Sequence, residues 1–182
     1  MMKKYYSLIL MLILISESKA TTKDEIIENL KEIKNLEFNF EQNIKGKIER
    51  GNCILQYPKK IYCKYDLKNQ KILVSNGKSL VIKTLTSYYH YPLGRTPLNH
   101  ILNKDFLIKK ITNLNERIIN DKFINFKFFE NENEINIFFH KDTYELIGWQ
   151  TLDIYQNLSI TYLSNIEKNL VINENLFELP KQ

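Results

Sequence analysis

The chain has 182 residues, a net charge of +5, 43% hydrophobic and 26% charged residues, two Cys and five Gly. That length supports one domain with a real core, and the composition excludes a disordered or collagen-like chain. Asn (21), Lys (23) and Ile (25) are abundant together while Ala occurs once, so the excess of Lys belongs to a bias shared with uncharged residues, and the lack of Ala beside many Ile, Tyr and Phe points to a β-rich protein.

Met1 to Ala20 reads as a secretory signal. Lys3 and Lys4 precede an apolar run, Leu8 to Ile15, that is too short to span a bilayer, and Ser18 and Ala20 put small residues at the −3 and −1 positions of a cleavage site. The alternatives are a buried N-terminal helix or a membrane anchor; no other stretch is apolar enough to span. Cleavage between Ala20 and Thr21 leaves a single domain over 21–182, with 23 basic against 20 acidic side chains, a net +3. Thr21 in place of a Cys argues for a mature protein that is exported and not lipid-anchored. An exported chain with a small, scattered charge is not expected to bind nucleic acid.

Thr22 to Asn35 has helical spacing: Thr22 and Glu25 sit at capping-box distance, and Ile26, Leu30 and Ile33 share a face. From Leu36 the period becomes two, with Leu36, Phe38 and Phe40 alternating with polar residues, as in a half-buried strand. A turn follows at Lys45-Gly46. Gly51–Tyr57 and Ile61–Tyr65 flank Pro58-Lys59-Lys60 as a hairpin, and Lys71–Ser75 and Ser79–Lys83 form a second around Asn76-Gly77. Tyr88 to Gly94, with Pro92, reads as a loop. Thr96-Pro97 opens a short helix that ends near Asn103. Strands are then expected at Ile108–Thr112, Lys122–Phe129, Glu134–His140, Leu146–Tyr155 and Leu158–Ile166. The plan is mainly β with a helical lid (α+β): a curled antiparallel sheet of about 10–11 strands covered by a few short helices.

Motifs for chemistry are missing. There is no G-x-S-x-G, H-E-x-x-H, Walker loop or G-x-G-x-x-G, and five Gly leave little for loops that cradle phosphates. His90, His100 and His140 have no second His or Cys at ligand spacing, so no metal and no cofactor is expected. A secreted hydrolase would need a nucleophile with a partnered His, and none assembles. Cys53 and Cys63 are equidistant from Pro58, so a simple hairpin sets them opposite each other at a distance a disulfide can bridge. In an oxidising compartment a Cys53–Cys63 bond is expected; the alternative is two buried free thiols.

Several pieces, in order, resemble the periplasmic outer-membrane lipoprotein carrier family, LolA. Phe38-Asn-Phe40-Glu-Gln42 is similar to its F-x-x-x-F-x-Q strand, with Phe40 and Gln42 at the second Phe and the Gln. Ile72-Leu-Val-Ser-Asn-Gly77-Lys-Ser-Leu80 resembles I-L-V-S-D-G-K-x-L. Pro92-Leu93-Gly-Arg-Thr96-Pro97-Leu98-Asn-His-Ile101-Leu102 resembles P-L-x-x-T-P-L-x-x-L-L. Leu146–Asp153 and Phe177-Glu-Leu-Pro180 match more loosely.

The resemblance implies an incomplete antiparallel β-barrel with a helical lid over an apolar cavity. It implies a monomeric periplasmic carrier of a Gram-negative bacterium, not an enzyme. Such a carrier takes acylated lipoproteins from an inner-membrane ABC transporter and passes them to an outer-membrane acceptor lipoprotein. A related carrier of free lipids or glycolipids shares the same motifs. The acyl-chain cavity is then expected to involve Leu36, Phe38, Phe40, Leu55, Ile61, Tyr65, Leu80 and Ile82, with Ile26, Leu30, Leu98, Ile101 and Leu102 on the lid; alternation alone does not separate a pocket from a barrel core. One departure stands out. The family commonly has Arg before the Pro matched by Pro58, where it is thought to hold the lid through backbone carbonyls; here the residue is Tyr57, whose hydroxyl can make one such bond.

Overall fold

The structure is a computed structural model that describes residues 21–130, 133–153 and 156–182; the expected signal segment Met1 to Ala20 lies outside the described residues. One helix leads in, α1 (Thr22–Glu32). Its cap is Thr21, one residue earlier than the spacing of Thr22 and Glu25 predicts. The Thr21 hydroxyl accepts from the Asp24 backbone N–H at 3.2 Å, and the Asp24 carboxylate accepts from the Thr21 backbone at 3.0 Å. Asp24 stands where a capping box commonly has Glu or Gln, and its carboxylate reaches back to the Thr21 backbone N–H.

Eleven strands then form one antiparallel sheet. They are β1 (Asn35–Ile44), β2 (Lys47–Gln56), β3 (Lys60–Tyr65), β4 (Ile72–Asn76), β5 (Ser79–Lys83), β6 (Tyr88–Pro92), β7 (Arg117–Ile119), β8 (Phe123–Glu130), β9 (Asn133–His140), β10 (Leu146–Leu152) and β11 (Leu158–Lys168). Their order is β6-β5-β4-β3-β2-β1-β11-β10-β9-β8-β7. The long β1 is the middle strand, pairing with β2 on one side and with the last strand on the other. The sheet curls without closing, so β6 and β7 are its free edges. Between β6 and β7 the chain makes a 3₁₀ turn (Leu93–Arg95) and two helices, α2 (Leu98–Ile101) and α3 (Lys104–Thr112). With α1 these pack against one end of the concave side.

Three further expectations from the sequence are corrected. Tyr88–Gly94 is edge strand β6 followed by the 3₁₀ turn: Pro92 closes the strand at its last residue, where a missing N–H costs least. Thr96 does not cap α2; its hydroxyl donates to the Leu93 carbonyl at 2.9 Å, closing the 3₁₀ turn, and Pro97 precedes the first helical residue. Ile108–Thr112 is the second half of α3. Its N-cap is Asn103, whose side chain accepts from the Phe106 N–H, and the four-residue step from Leu107 to Ile111 faces the core. The short edge strand β7 was not expected. For Leu146–Tyr155 the strand runs to Leu152, and Tyr155 lies outside the described residues.

The core runs between sheet and helices. Ile26, Leu30, Ile101, Leu102, Leu107 and Ile111 meet Leu36, Phe38, Leu55, Phe126, Ile137 and Phe139, all at most 1% exposed. Phe177, Val74 and Val81 are also buried but outside this cluster. They mark the outer face of the sheet, where the C-terminal 3₁₀ turn (Glu174–Phe177) packs on β3 and β4, tied by Lys60 and Gln56 to Glu174.

Candidate ligand cavity

The strand register sets inward-facing side chains in rungs across the sheet. One rung reads Leu36, Leu55, Ile61; the next Phe38, Cys53, Cys63, Leu73, Ile82; the next Phe40, Gly51, Tyr65. Cys53 and Cys63 are directly paired and joined by a disulfide, with a Cα–Cα distance of 4.1 Å. Gly51 is required where it stands, because a Cβ would run into the Lys64 carbonyl oxygen and lie 2.9 Å from the Phe40 ring. The vacant space lets Phe40 reach across β2 to Tyr65, edge to face at 4.9 Å between centroids.

At one end of the concave face the helices pack the interior solid. Away from them a cavity of about 350 Å³ opens between the sheet and the start of α2. Leu73, Leu80, Ile82 and Trp149 form its apolar walls, Leu98 of α2 its ceiling, and Tyr89 and Tyr91, stacked 6.5 Å apart, one side. A smaller void of about 40 Å³ lies deeper, among Phe38, Phe40, the two Cys and Ile61. Gln42, Tyr65, Leu73, Leu98 and Trp149 line both spaces and so form the partition between them.

The residues expected from the sequence to line an acyl-chain cavity divide accordingly. Tyr65, Leu80 and Ile82 line the larger space; Phe38, Phe40, Ile61 and again Tyr65 line the deeper void; Leu36 and Leu55 sit in the packed core and line neither. Of the residues expected on a lid, Leu98 faces both spaces, while Ile26, Leu30, Ile101 and Leu102 are buried in the packed end. Trp149 and Leu73 escaped the sequence reading, although both belong to strands that alternate.

The far end of the cavity is polar. On the rung beyond Phe40, Gln42 of β1 faces Glu49 of β2 on one side and Thr161 of β11 on the other, with Ser159 and Thr151 beside them. The Gln42 amide donates to the Ser159 and Thr161 hydroxyls at 3.0 and 3.3 Å. Glu49 is 5% exposed and carries a lysine on each carboxylate oxygen: Lys47 from the rim at 2.6 Å, and Lys71, itself mostly buried. The Lys71 ammonium also lies 4.0 Å from the centre of the Tyr65 ring. Burial pushes the Glu49 pKa up, but the two lysines outweigh it and hold the carboxyl below its ordinary value. Burial, reinforced by the Glu49 charge, pushes the Tyr65 phenol well up. The signal for Glu49 was in the sequence: stepping by two from Cys53 through Gly51 places it inward.

Backbone groups of the turn between β2 and β3 and one lysine tie the helices down. The Tyr57 hydroxyl is buried and makes no hydrogen bond. The bonds come from the turn's backbone: the Tyr57 N–H donates to the Lys34 carbonyl at 3.0 Å, just past α1, and the Lys59 N–H donates to the Leu102 carbonyl at 2.7 Å, at the end of α2. Lys104, at the start of α3, donates to the Lys31 and Ile33 carbonyls at 2.9 and 2.7 Å, with its ammonium 5.7 Å from the Tyr57 ring centre. One ammonium thus closes the last turn of α1 and binds it to α3. Among the described residues no helix is long and apolar enough to cross a membrane.

The family model described as outer membrane lipoprotein carrier protein LolA matches residues 31–180. No curated protein sequence matches the chain. Among solved structures, an uncharacterized conserved protein from Thermus thermophilus is similar in fold (8% identity, 88% of this chain and 96% of that one, TM-score 0.52). A LolA superfamily protein from Nitrosomonas europaea (9% identity, 88% and 99%, TM-score 0.43) and the Mycobacterium tuberculosis lipoprotein LppX (9% identity, 84% and 96%, TM-score 0.45) also match. At these identities the likeness is one of fold.

Proposed function

The chain belongs to the LolA family of outer membrane lipoprotein carrier proteins, and on that footing we propose that it shields the acyl chains of lipoproteins in the periplasm. In this reading it receives them from the inner-membrane lipoprotein-releasing ABC transporter and delivers them to the outer membrane, through an acceptor lipoprotein where one exists. The observation that carries the reading is the cavity of about 350 Å³ walled by Leu73, Leu80, Ile82, Leu98 and Trp149. It lies at the lower end of the roughly 300–1,000 Å³ of ligand pockets, and it borders a second void across a partition that includes the lid residue Leu98. Moving α2 would join the two. Phe38, Phe40 and Ile61 then contact the buried end of a chain, with Tyr65, Leu80 and Ile82 along its length.

The energetics favour a carrier that closes on itself. An acyl chain of about 15 methylenes gains roughly 12 kcal/mol on leaving water, at about 0.8 kcal/mol per CH₂. Full capture of several chains would leave nothing to drive release, so a lid whose closed state competes with ligand keeps handover reversible. Transfer then follows the difference in affinity between carrier and acceptor, with no reaction catalysed by this chain. Export with cleavage after Ala20 fits the same scheme: it leaves Thr21 as first residue, already the cap of α1, and sets its ammonium against the Asp24 carboxylate.

The test is release from spheroplasts. Mature protein added to spheroplasts with an active transporter is expected to bring newly made lipoproteins into the supernatant; lipoproteins retained in the membrane contradict the proposal. A carrier of free lipid is the second reading, favoured by a cavity at the small end of the range. Copurification separates the two: free lipid with no acylated protein supports the second.

A further inference from the structure

The wall at the polar end of the cavity carries charge that a hydrocarbon ligand does not need. Glu49 and Lys71 are largely withdrawn from water inside the concave face, and Lys47 stands at the rim. A buried ion pair is a poor source of stability, since its desolvation cost rivals its attraction. Filling the cavity with hydrocarbon alone would strip the remaining water from the Lys71 ammonium with no acceptor offered in return. Two lysines converge there on one carboxylate, while the lining as a whole balances two ammoniums with two carboxylates. The other charged group on the lining, Asp153, holds the Asn157 backbone N–H and side-chain amide at 2.8 and 3.0 Å.

Resting on the second reading above, a carrier of free lipid, we infer that this end is a head-group site for an acyl amphiphile: the chain lies along Leu73, Leu80, Ile82 and Trp149, and an anionic carboxylate or phosphate head takes hydrogen bonds from the Lys71 and Lys47 ammoniums. Glu49 holds Lys71 in place while the site is empty and competes with the incoming anion for it, so the head is recognised by exchange of one acceptor for another. The Tyr65 ring, under the Lys71 ammonium, keeps that cation over the cavity in either state.

Calorimetric titration of the mature protein with dodecanoate, dodecyl phosphate and dodecanol tests this. The anions are expected to bind about tenfold or more tighter than the alcohol. Lys71→Met is expected to bring the anions to within about threefold of the alcohol while leaving alcohol binding in place, and Glu49→Gln is expected to widen the preference, because the competing carboxylate is gone. The double variant Glu49→Gln/Lys71→Met removes both charges together and so avoids stranding one; it too must lose the preference and still bind the alcohol. Equal binding of all three by the native chain, or an undiminished preference in the Lys71 variants, overturns the head-group site and leaves the free-lipid reading standing. Failure of all three to bind overturns both. Preference for dodecanoate points to a fatty acid as the source of the head, preference for dodecyl phosphate to a phospholipid.

Discussion

Glu49 shows how one residue's environment converts a surface-type side chain into part of a cavity wall. Its folded pKa lies below an ordinary 4.5 because two ammoniums favour the carboxylate more than burial opposes it. A depressed carboxyl pKa stabilises the fold above the unfolded-state value and ceases to do so as pH falls through the folded value. Urea unfolding should therefore show a gap between native and Glu49→Gln chains that is constant from pH 7 down to about 5 and shrinks below that; a gap independent of pH would mean the lysines do not hold Glu49 ionised. Legibility at this scale was uneven. The pairing of Cys53 with Cys63 could be read from symmetry about Pro58. The fate of Tyr57 could not, because whether a hydroxyl finds a carbonyl depends on where the lid settles, and the backbone N–H groups of Tyr57 and Lys59 supply the bonds instead.

Among the elements, the hairpin of β2 and β3 is held by a short covalent loop. Cys53 and Cys63 are ten residues apart, so in the chain-entropy view replacing both with Ala should lower stability by about 2–3 kcal/mol, read as a fall in the urea midpoint; an unchanged midpoint would deny the bond a stabilising role. Among the helices, α1 and α3 share the Lys104 ammonium. Lys104→Met removes two charge-assisted bonds, partly open to water, and should speed hydrogen exchange of the C-terminal α1 amides by about tenfold while amides of β1 are unaffected; unaltered exchange in α1 would show that apolar packing alone holds the lid. The strands around β1 were legible because one wet and one dry face impose period two. The misreadings cluster where that rule lapses. Edge strand β6 is mostly exposed or half-buried and ends in Pro92, and β7 has three residues with no buried side chain. Helix α3 is short enough for Ile108 and Ile111 to look like strand residues until Asn103 is recognised as its cap.

Across the whole molecule, the interior is graded. Helices fill one end with apolar side chains, a cavity occupies the middle, and Gln42, Glu49, Lys71, Ser159 and Thr161 line the far end. Alternation tells which face a residue takes and is silent on depth along the barrel. That is why Leu36 and Leu55 could not be separated from Leu80 and Ile82 in the sequence, and why the polar end went unread among ordinary charges. The central claim is that an acyl chain enters this space, and the chain carries its own reporter: its single tryptophan, Trp149, is 5% exposed and lines both the cavity and the deeper void. A diacylated lipopeptide with bromine atoms midway along its acyl chains should quench Trp149 fluorescence on addition to the mature protein, while the unbrominated lipopeptide and the brominated head without chains leave it bright. Binding of the brominated lipopeptide without quenching would place the chains elsewhere and contradict the account.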